Sequence, residues 1–178
     1  MPIVELTPDH CDALLRFFGK LPEGDLTFIK EDVTDPETVR SWTAGDSTGR
    51  RWVSMDGDDI CGYVALYRLP GWSDHVGEVR LVVAPEKRGS GLGRELARHA
   101  VVSGLESGLR KLVVEVVAEQ GPALALFTGL GFSGEAVLKG HIRDRKGDLH
   151  DLMVLAHDVD ETWSGMDTVG VSEELGSP

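Results

Sequence analysis

The apolar residues in the first half of the chain recur at spacings that change from helical to strand-like. Residues 11–18 carry them three and four positions apart, which predicts an amphipathic helix ending at Gly19. Pro36 begins a second short helix. Two apolar runs, residues 51–55 and 60–69, flank an Asp-rich turn and predict a β-hairpin. We expect a short strand before the first helix and irregular structure between the two helices, over residues 3–6 and 20–35 respectively.

The second half contains the buried part of the predicted sheet. Residues 76–84 are almost continuously apolar, as expected for a strand covered on both faces. A helix over residues 92–107 and an apolar strand over residues 111–117 follow, which together make a βαβ unit. A short helix and a final hairpin complete the pattern over residues 122–130, 132–143 and 149–157. This order predicts an α/β fold (α+β in some schemes): a mixed, mostly antiparallel sheet with a central parallel βαβ unit, flanked by helices.

Length and charge limit the classes of function. A chain of 178 residues suits one domain, and its net charge of −12 argues against nucleic-acid binding, which depends on Lys and Arg. Six acidic residues and no Lys or Arg follow residue 157. We therefore expect a folded domain over residues 1–157 and an acidic, partly disordered tail over residues 158–178.

Neither a membrane segment nor a metal site is expected from the sequence. There is no apolar run of 18 or more residues, and the N-terminus lacks a basic region followed by an apolar core, so we expect a cytoplasmic protein that does not bind membranes. Cys11 and Cys61 have no Cys or His at metal-ligand spacing. We expect two reduced cysteines and no metal.

A glycine-rich turn connects the buried strand 76–84 to the following helix. Gly89, Gly91 and Gly93 allow positive φ and close backbone approach, and the helix directed at the turn supplies free N–H groups. Such a turn binds a phosphate or pyrophosphate without a metal. Arg94 after Gly93 excludes a Walker A loop, and the glycine spacing differs from a dinucleotide-binding fingerprint. A glycine turn without a ligand remains the structural alternative.

Three motifs resemble the GNAT superfamily of N-acetyltransferases. Arg88-x-x-Gly91-x-Gly93 is similar to its Q/R-x-x-G-x-G/A signature, and a Val-x-Pro sequence precedes it at residues 83–85. Leu-Phe-x-x-Leu-Gly-Phe at residues 126–132 is also similar. The predicted element order agrees from residue 3 to about residue 157. The resemblance implies the GNAT-like fold, acetyl-CoA as cosubstrate and transfer of the acetyl group to an amine.

The resemblance also implies which residues bind coenzyme A. The strand end would offer its backbone to the pantetheine arm, and the glycine turn would hold the pyrophosphate. The strands on either side of the long helix, 76–84 and 111–117, would diverge where the thioester lies. Gln120 replaces a frequent Asn that contacts the pantetheine. The residues implied are Leu81, Val82, Val83, Arg88, Gly89, Ser90, Gly91, Leu92, Gly93, Arg94, Gln120 and Phe127.

Two carboxylates are candidates for the general base. Direct attack by an amine needs the amine deprotonated, and burial of a carboxylate shifts its pKa toward the useful range. Glu115 interrupts an apolar strand and aligns with the base of ribosomal-protein N-terminal acetyltransferases. Glu78 lies in the strand where histone-type members place theirs, although counting back from Val83 puts that position at Gly77. Strict alternation would then place Glu78 on the opposite face, unless a bulge intervenes.

The residue at the position of the general acid differs from the one that is common in the superfamily. Many members carry a Tyr before x-x-Leu-Gly-Phe that protonates the departing thiolate, whereas this chain has Phe127, which cannot donate a proton. A thiol pKa of about 8.5 makes such an acid helpful but not obligatory. The substitution leaves open a weakly catalytic or non-catalytic domain that binds or senses acyl-CoA. A phosphate-binding scaffold for another nucleotide is a third hypothesis.

The acceptor is not defined by the sequence. The resemblance implies that residues 20–50 and the final hairpin select it, and that it is an amine-bearing small molecule or a protein N-terminus or lysine. Asp151 in the hairpin either faces the cleft or pins the hairpin. Exposed hairpin edges leave a homodimer open.

Overall fold

The computed structural model describes residues 1–27, 29–44 and 49–159. Five α-helices flank a seven-stranded sheet, and short 3-10 turns join several of the elements. The helices are α1 Cys11–Gly19, α2 Glu23–Leu26, α3 Pro36–Thr43, α4 Leu92–Glu106 and α5 Gly121–Thr128. The strands are β1 Ile3–Glu5, β2 Gly49–Asp56, β3 Asp59–Arg68, β4 Val76–Val83, β5 Lys111–Val117, β6 Ser133–Arg143 and β7 Leu149–Asp158.

The sheet has the strand order β1-β2-β3-β4-β5-β7-β6. Among the described strands, β4 and β5 form the only parallel pair, and α4 connects them. Every other neighbouring pair is antiparallel. The predicted mixed, mostly antiparallel fold with one central βαβ unit is therefore confirmed.

Helices cover both faces of the sheet. On one face α4 packs so closely that a methyl group added at Gly62 of β3 would lie 2.6 Å from Leu96. On the other face α1 and α3 meet β3, where Phe18 and Trp42 both contact the ring of Tyr63 at centroid distances of 5.6 Å. The core is thus two apolar layers on one sheet.

The pairing between β4 and β5 is short. Their register runs from Val76–Lys111 to Glu78–Val113 and no further. Beyond it, β4 remains paired with β3 as far as Val83, and β5 remains paired with β7 as far as Val117. Because each strand follows a different neighbour, a gap opens between them, as the resemblance implied.

Two features of the fold differ from the sequence prediction or extend it. The segment 20–35, expected to be irregular, contains the one-turn helix α2. The final hairpin inserts β7 between β5 and β6, so β6 is the edge strand.

Val159 is still buried and donates its N–H to the Arg110 carbonyl at 3.0 Å. Most of the predicted acidic tail, residues 160–178, lies outside the described residues. Within the described ranges, none of the helices has the length and apolarity needed to cross a membrane.

Gly77 is required by packing where β4 begins its pairing with β5. An added methyl group would lie 2.5 Å from Leu109 Cδ1 and 2.9 Å from Leu66 Cδ1. We expect Gly77→Ala to lower the free energy of unfolding by about 1–3 kcal/mol, the usual cost of overpacking a core. Urea denaturation measures this.

The matched control is Gly134→Ala in the edge strand β6, where the nearest atom would lie 4.0 Å away. This change should be neutral or slightly stabilising, because alanine restricts the unfolded chain. Equal losses in the two variants would contradict the packing argument.

Candidate active site

A cavity of about 860 Å³ occupies the gap between β4 and β5 and extends to the start of α4. It is lined by residues that are separated along the chain but were predicted together from the sequence. These are Glu78, Leu81, Val82, Val83, Arg88, Gly89, Gly91, Gly93, Arg94, Glu115, Gln120 and Phe127.

The glycine turn forms one end of this cavity. Gly89 and Gly91 have φ of +75° and +90°, and no atom lies within 4 Å of where a side chain would begin. These are left-handed conformations that glycine adopts at little cost. Gly91 caps α4, whose first turn directs N–H groups and the positive end of the helix dipole at the turn. At Gly93 a methyl group would lie 2.9 Å from Leu126 of α5, so this glycine lets the two helices approach.

Two residues implied by the resemblance lie elsewhere. Leu92 is buried in the core, with 2% of its surface exposed, and packs against β3. The Ser90 hydroxyl donates to the Lys87 carbonyl at 2.6 Å and thus stabilises the turn itself. Both residues shape the glycine turn but are not part of the cavity lining.

The basic side chains around the turn already have partners. Arg88 donates to Asp25 of α2 at 2.6 Å and to the Val83 carbonyl at 3.2 Å. Arg94 donates to the Gly129 carbonyl at 3.2 Å. Lys87 donates a hydrogen bond to the Asp56 carboxylate at 2.7 Å, and this bond raises the pKa of Lys87. Arg88 and Arg94 are the two that also line the cavity.

The two candidate bases, Glu78 and Glu115, lie at the other end of the cavity. Both form ion pairs with the same cation, Lys30. Lys30 Nζ lies 2.8 Å from Glu78 Oε1 and 2.7 Å from Glu115 Oε2. Glu78 is on β4 and Glu115 on β5, at the level where the strands separate. Their side chains are 11% and 29% exposed. The two carboxylates thus form an ammonium site, which binds the primary ammonium group of Lys30.

A second cation completes the cluster. Arg80 donates from Nε to Glu78 Oε1 at 2.9 Å and also pairs with Glu31. Its guanidinium lies 4.3 Å above the ring of Tyr67. Burial lowers the pKa of Arg80, and the charge of Glu115 opposes this shift. Arg80 therefore shares Oε1 of Glu78 with Lys30 and also donates to Oε2 at 3.4 Å, so both oxygens of this carboxylate are paired.

The face of β4 on which Glu78 lies is decided by the structure. The β3–β4 register is regular from Gly62–Val83 to Arg68–Gly77, so no bulge is present in this pair. Gly77 points into the leucine cluster beneath α4, where a carboxylate could not be accommodated. Glu78 is indeed on the opposite face, and that is the face on which Glu115 and Lys30 lie.

Aromatic residues and α5 close the cavity between its two ends. Gln120 precedes α5, and Phe127 within it is 5% exposed and packs edge-on against Phe132 at 5.3 Å. Tyr63 lines the cavity from β3, and its hydroxyl accepts a hydrogen bond from Arg51 at 3.2 Å. Burial raises the pKa of Tyr63 well above its ordinary value. This part of the cavity wall is thus largely apolar.

The final hairpin is held by Asp151. Its carboxylate accepts from the Gly140 N–H at 2.9 Å and from Lys139 Nζ at 2.7 Å. Of the two alternatives for Asp151, the structure therefore supports pinning of the hairpin.

Within the described part of the chain, no three His, Cys, Asp or Glu side chains are grouped as metal ligands would be.

Three charged residues of the site, Lys30, Glu31 and Arg80, were not predicted from the sequence. Lys30 and Glu31 lie in a segment without hydrophobic period, which carries no signal for a site. Arg80 did carry one: it lies two positions after Glu78 in an apolar strand, and residues two apart share a face.

The chain resembles characterised acetyltransferases in sequence. The profile of the Acetyltransferase (GNAT) family matches residues 15–132. Streptothricin acetyltransferase of Streptomyces lavendulae is 33% identical over 89 residues, covering 49% of this chain and 47% of that protein. N-acetyltransferase 8F1 of Rattus norvegicus is 28% identical over 124 residues, covering 67% of this chain and 54% of that protein. The chain thus spans about half the length of these curated relatives.

Solved structures agree with the fold. A ribosomal-protein-alanine N-acetyltransferase from Brucella melitensis superposes with a TM-score of 0.79 at 22% identity, covering 89% of this chain and 99% of that one. The protein yncA of Salmonella typhimurium, solved with its cofactor acetyl-CoA, has a TM-score of 0.77 at 19% identity, covering 90% and 94%. Since the family profile matches more than half of the sequence and the fold agrees, the chain belongs to the GNAT family of acetyltransferases.

Proposed function

We propose that this protein transfers an acetyl group from acetyl-CoA to a primary amine by direct attack of the amine on the thioester. One observation carries the proposal: a glycine turn suited to a pyrophosphate and a two-carboxylate ammonium site lie at opposite ends of one cavity. Family membership supports the cosubstrate, as does the acetyl-CoA bound to the neighbour from Salmonella typhimurium.

Coenzyme A would lie along β4, with its pyrophosphate at the start of α4. The N–H groups of the first helical turn bind phosphate oxygens, and the helix dipole favours their charge. One edge of β4 is paired with β3, and the other edge faces the gap beyond Glu78. The backbone of residues 81–83 can therefore pair with the amides of the pantetheine arm as an added strand would. The thioester then reaches the level of the two glutamates.

Glu115 is the better placed general base. Lys30 contacts Glu115 through one oxygen, Oε2, whereas Glu78 is contacted through both oxygens, by Lys30 and by Arg80. Both oxygens of Glu78 are thus already engaged as hydrogen-bond acceptors, whereas Glu115 has an oxygen that Lys30 does not contact. Glu78 and Arg80 would position the acceptor ammonium, and Glu115 would take its proton.

The leaving thiolate would be protonated without a dedicated side chain at residue 127. Phe127 has no proton to donate, and its ring packs in the wall of the cavity. Coenzyme A is a thiol with an ordinary pKa of about 8.5, so its thiolate is a tolerable leaving group at neutral pH. The proton that Glu115 removes from the amine, or one from water, completes the reaction.

The acceptor would be a cation, because both carboxylates face the position that its amine must occupy. Streptothricin acetyltransferase is named for a small molecule, and the Brucella melitensis neighbour for an alanine of a ribosomal protein. Amine-bearing small molecules, protein N-termini and lysines are all therefore candidates for this chain.

The glycine turn gives the first test. Gly91→Glu places a carboxylate where the pyrophosphate would bind, and we expect a loss of about 100-fold or more in affinity for coenzyme A, since like charges brought together cost several kcal/mol. Isothermal titration calorimetry with coenzyme A measures the loss.

Gly108→Glu is the matched control at the other end of α4. Gly108 also has a positive φ, +72°, and no atom within 4 Å of its added side chain. Both variants carry the same strain, about 1–2 kcal/mol. Similar coenzyme A affinities for the two would show that the turn does not bind the pyrophosphate.

Removal of the base gives the second test. We expect Glu115→Gln to lower kcat/KM for an amine about 100-fold or more, the usual contribution of a general base, and to leave coenzyme A affinity unchanged. The loss should be greatest at low pH, because more of the amine is already deprotonated at high pH. A pH profile of thiol release measures both effects.

Glu78→Gln serves as the comparison, since it removes the same charge from the same ammonium site. We expect this variant mainly to raise KM for the amine. A larger fall in kcat for Glu78→Gln than for Glu115→Gln would assign the base to Glu78.

Phe127 supports one alternative, a domain that binds or senses acyl-CoA with little catalysis. Thiol release from acetyl-CoA in a panel of primary amines separates the two. We expect alkyl diamines and lysine-containing peptides to accelerate release, because the glutamate pair attracts an ammonium group. Tight binding of coenzyme A with no acceleration by any amine would favour the sensor.

A further inference from the structure

The ammonium site of this protein is occupied by its own side chain. Lys30 is a primary aliphatic amine, and its Nζ lies 2.7 Å from the carboxylate oxygen of Glu115. An acceptor amine must lie within hydrogen-bond reach of the base that deprotonates it. We propose that Lys30 is itself an acetyl acceptor, so that the protein acetylates its own Lys30 when acetyl-CoA is bound and no other amine is present. This inference rests on the proposed function of the site.

Two ion pairs hold Lys30 in this position. Glu31, the next residue, pairs with Arg80 of β4, and Asp25 of α2 pairs with Arg88 beside the glycine turn at 2.6 Å. Asp25 in α2 and Glu31 next to Lys30 are thereby each paired with an arginine that lines the cavity. Lys30 is part of the cavity lining together with the glycine turn and the end of β4. Its amine lies on the side of the cavity where the thioester would be attacked.

The reaction balances without any further reactant. Glu115 takes one proton from the Lys30 ammonium, and the neutral amine attacks the carbonyl carbon of the thioester. A C–N bond forms, the C–S bond breaks, and the thiolate takes the proton held by Glu115 and leaves as free coenzyme A. The second proton from the amine passes to solvent. The product is an uncharged amide, which can no longer form ion pairs with Glu78 and Glu115.

Lys20 provides an internal comparison. Its side chain is 67% exposed and lies 3.8 Å from Asp59, whereas the Lys30 side chain is 43% exposed and lies within 2.8 Å of two carboxylates. Uncatalysed reaction with acetyl-CoA in solution would favour the more exposed and more loosely paired Lys20. Reaction at the active site would favour Lys30.

The experiment is incubation of the full chain with acetyl-CoA alone, followed by intact mass measurement and peptide mapping. We expect each molecule to gain one acetyl group, on Lys30. The first-order rate constant for this gain should not change with protein concentration. Lys30→Arg keeps the charge but removes the acceptor amine, and this variant should gain no acetyl group in that peptide. Gly91→Glu should lose the Lys30 modification, because the donor no longer binds.

Equal acetylation of Lys20 and Lys30, or Lys30 acetylation that survives in Gly91→Glu, would show spontaneous chemistry and overturn the proposal. A rate that rises with protein concentration would show transfer between molecules and overturn self-acetylation. Absence of the modification would also overturn it. Thiol release by added amines, measured on the same samples, then shows separately whether the proposed acetyltransferase activity stands.

Discussion

The separation of β4 from β5 beyond the Glu78–Val113 pair is the constraint on which the site depends. Each strand has an antiparallel partner on its outer side, β3 or β7, and follows that partner away from the other strand. Backbone N–H and C=O groups on the inner edges are then left facing a cavity, where polar groups require partners. An extended ligand with amides of its own can supply them. The gap therefore provides both the volume and the hydrogen-bonding edge that the proposed binding of a pantetheine arm requires.

The same gap has two charged side chains beside it, each in a mostly apolar strand. Glu78 and Glu115 project from adjacent strands into the gap, and an unpaired pair of carboxylates there would be costly. Lys30 and Arg80 offset that charge, and Glu31 balances Arg80 in turn. Three carboxylates and two cations leave an excess of one negative charge in the cluster. Lys30 and Glu31, which follow α2, thus contribute charged groups to the cavity as well as part of its lining.

Most of the elements, and the end of the cavity at α4, could be predicted from the sequence. The period of apolar residues marked β4, α4 and β5 to within a residue or two, since each period reflects local backbone geometry. The glycine turn was predictable for the same reason, because Gly89 and Gly91 adopt positive φ within a few residues of chain. Helix α2 was missed, since its single turn is too short to show a period. The insertion of β7 between β5 and β6 was not predicted either, since strand order depends on packing of distant segments.

By itself, then, the sequence determined the mixed sheet, the βαβ unit, the glycine turn and a short set of candidate glutamates. Only the tertiary structure decided that Glu78 and Glu115 share a face and that Gly77 does not. Only the tertiary structure shows that Lys30 contacts these two glutamates, although it lies 48 residues before Glu78 in the chain. The physical reason is that periodicity and φ are local properties. The meeting of charged groups across a gap between strands depends on the register of the whole sheet.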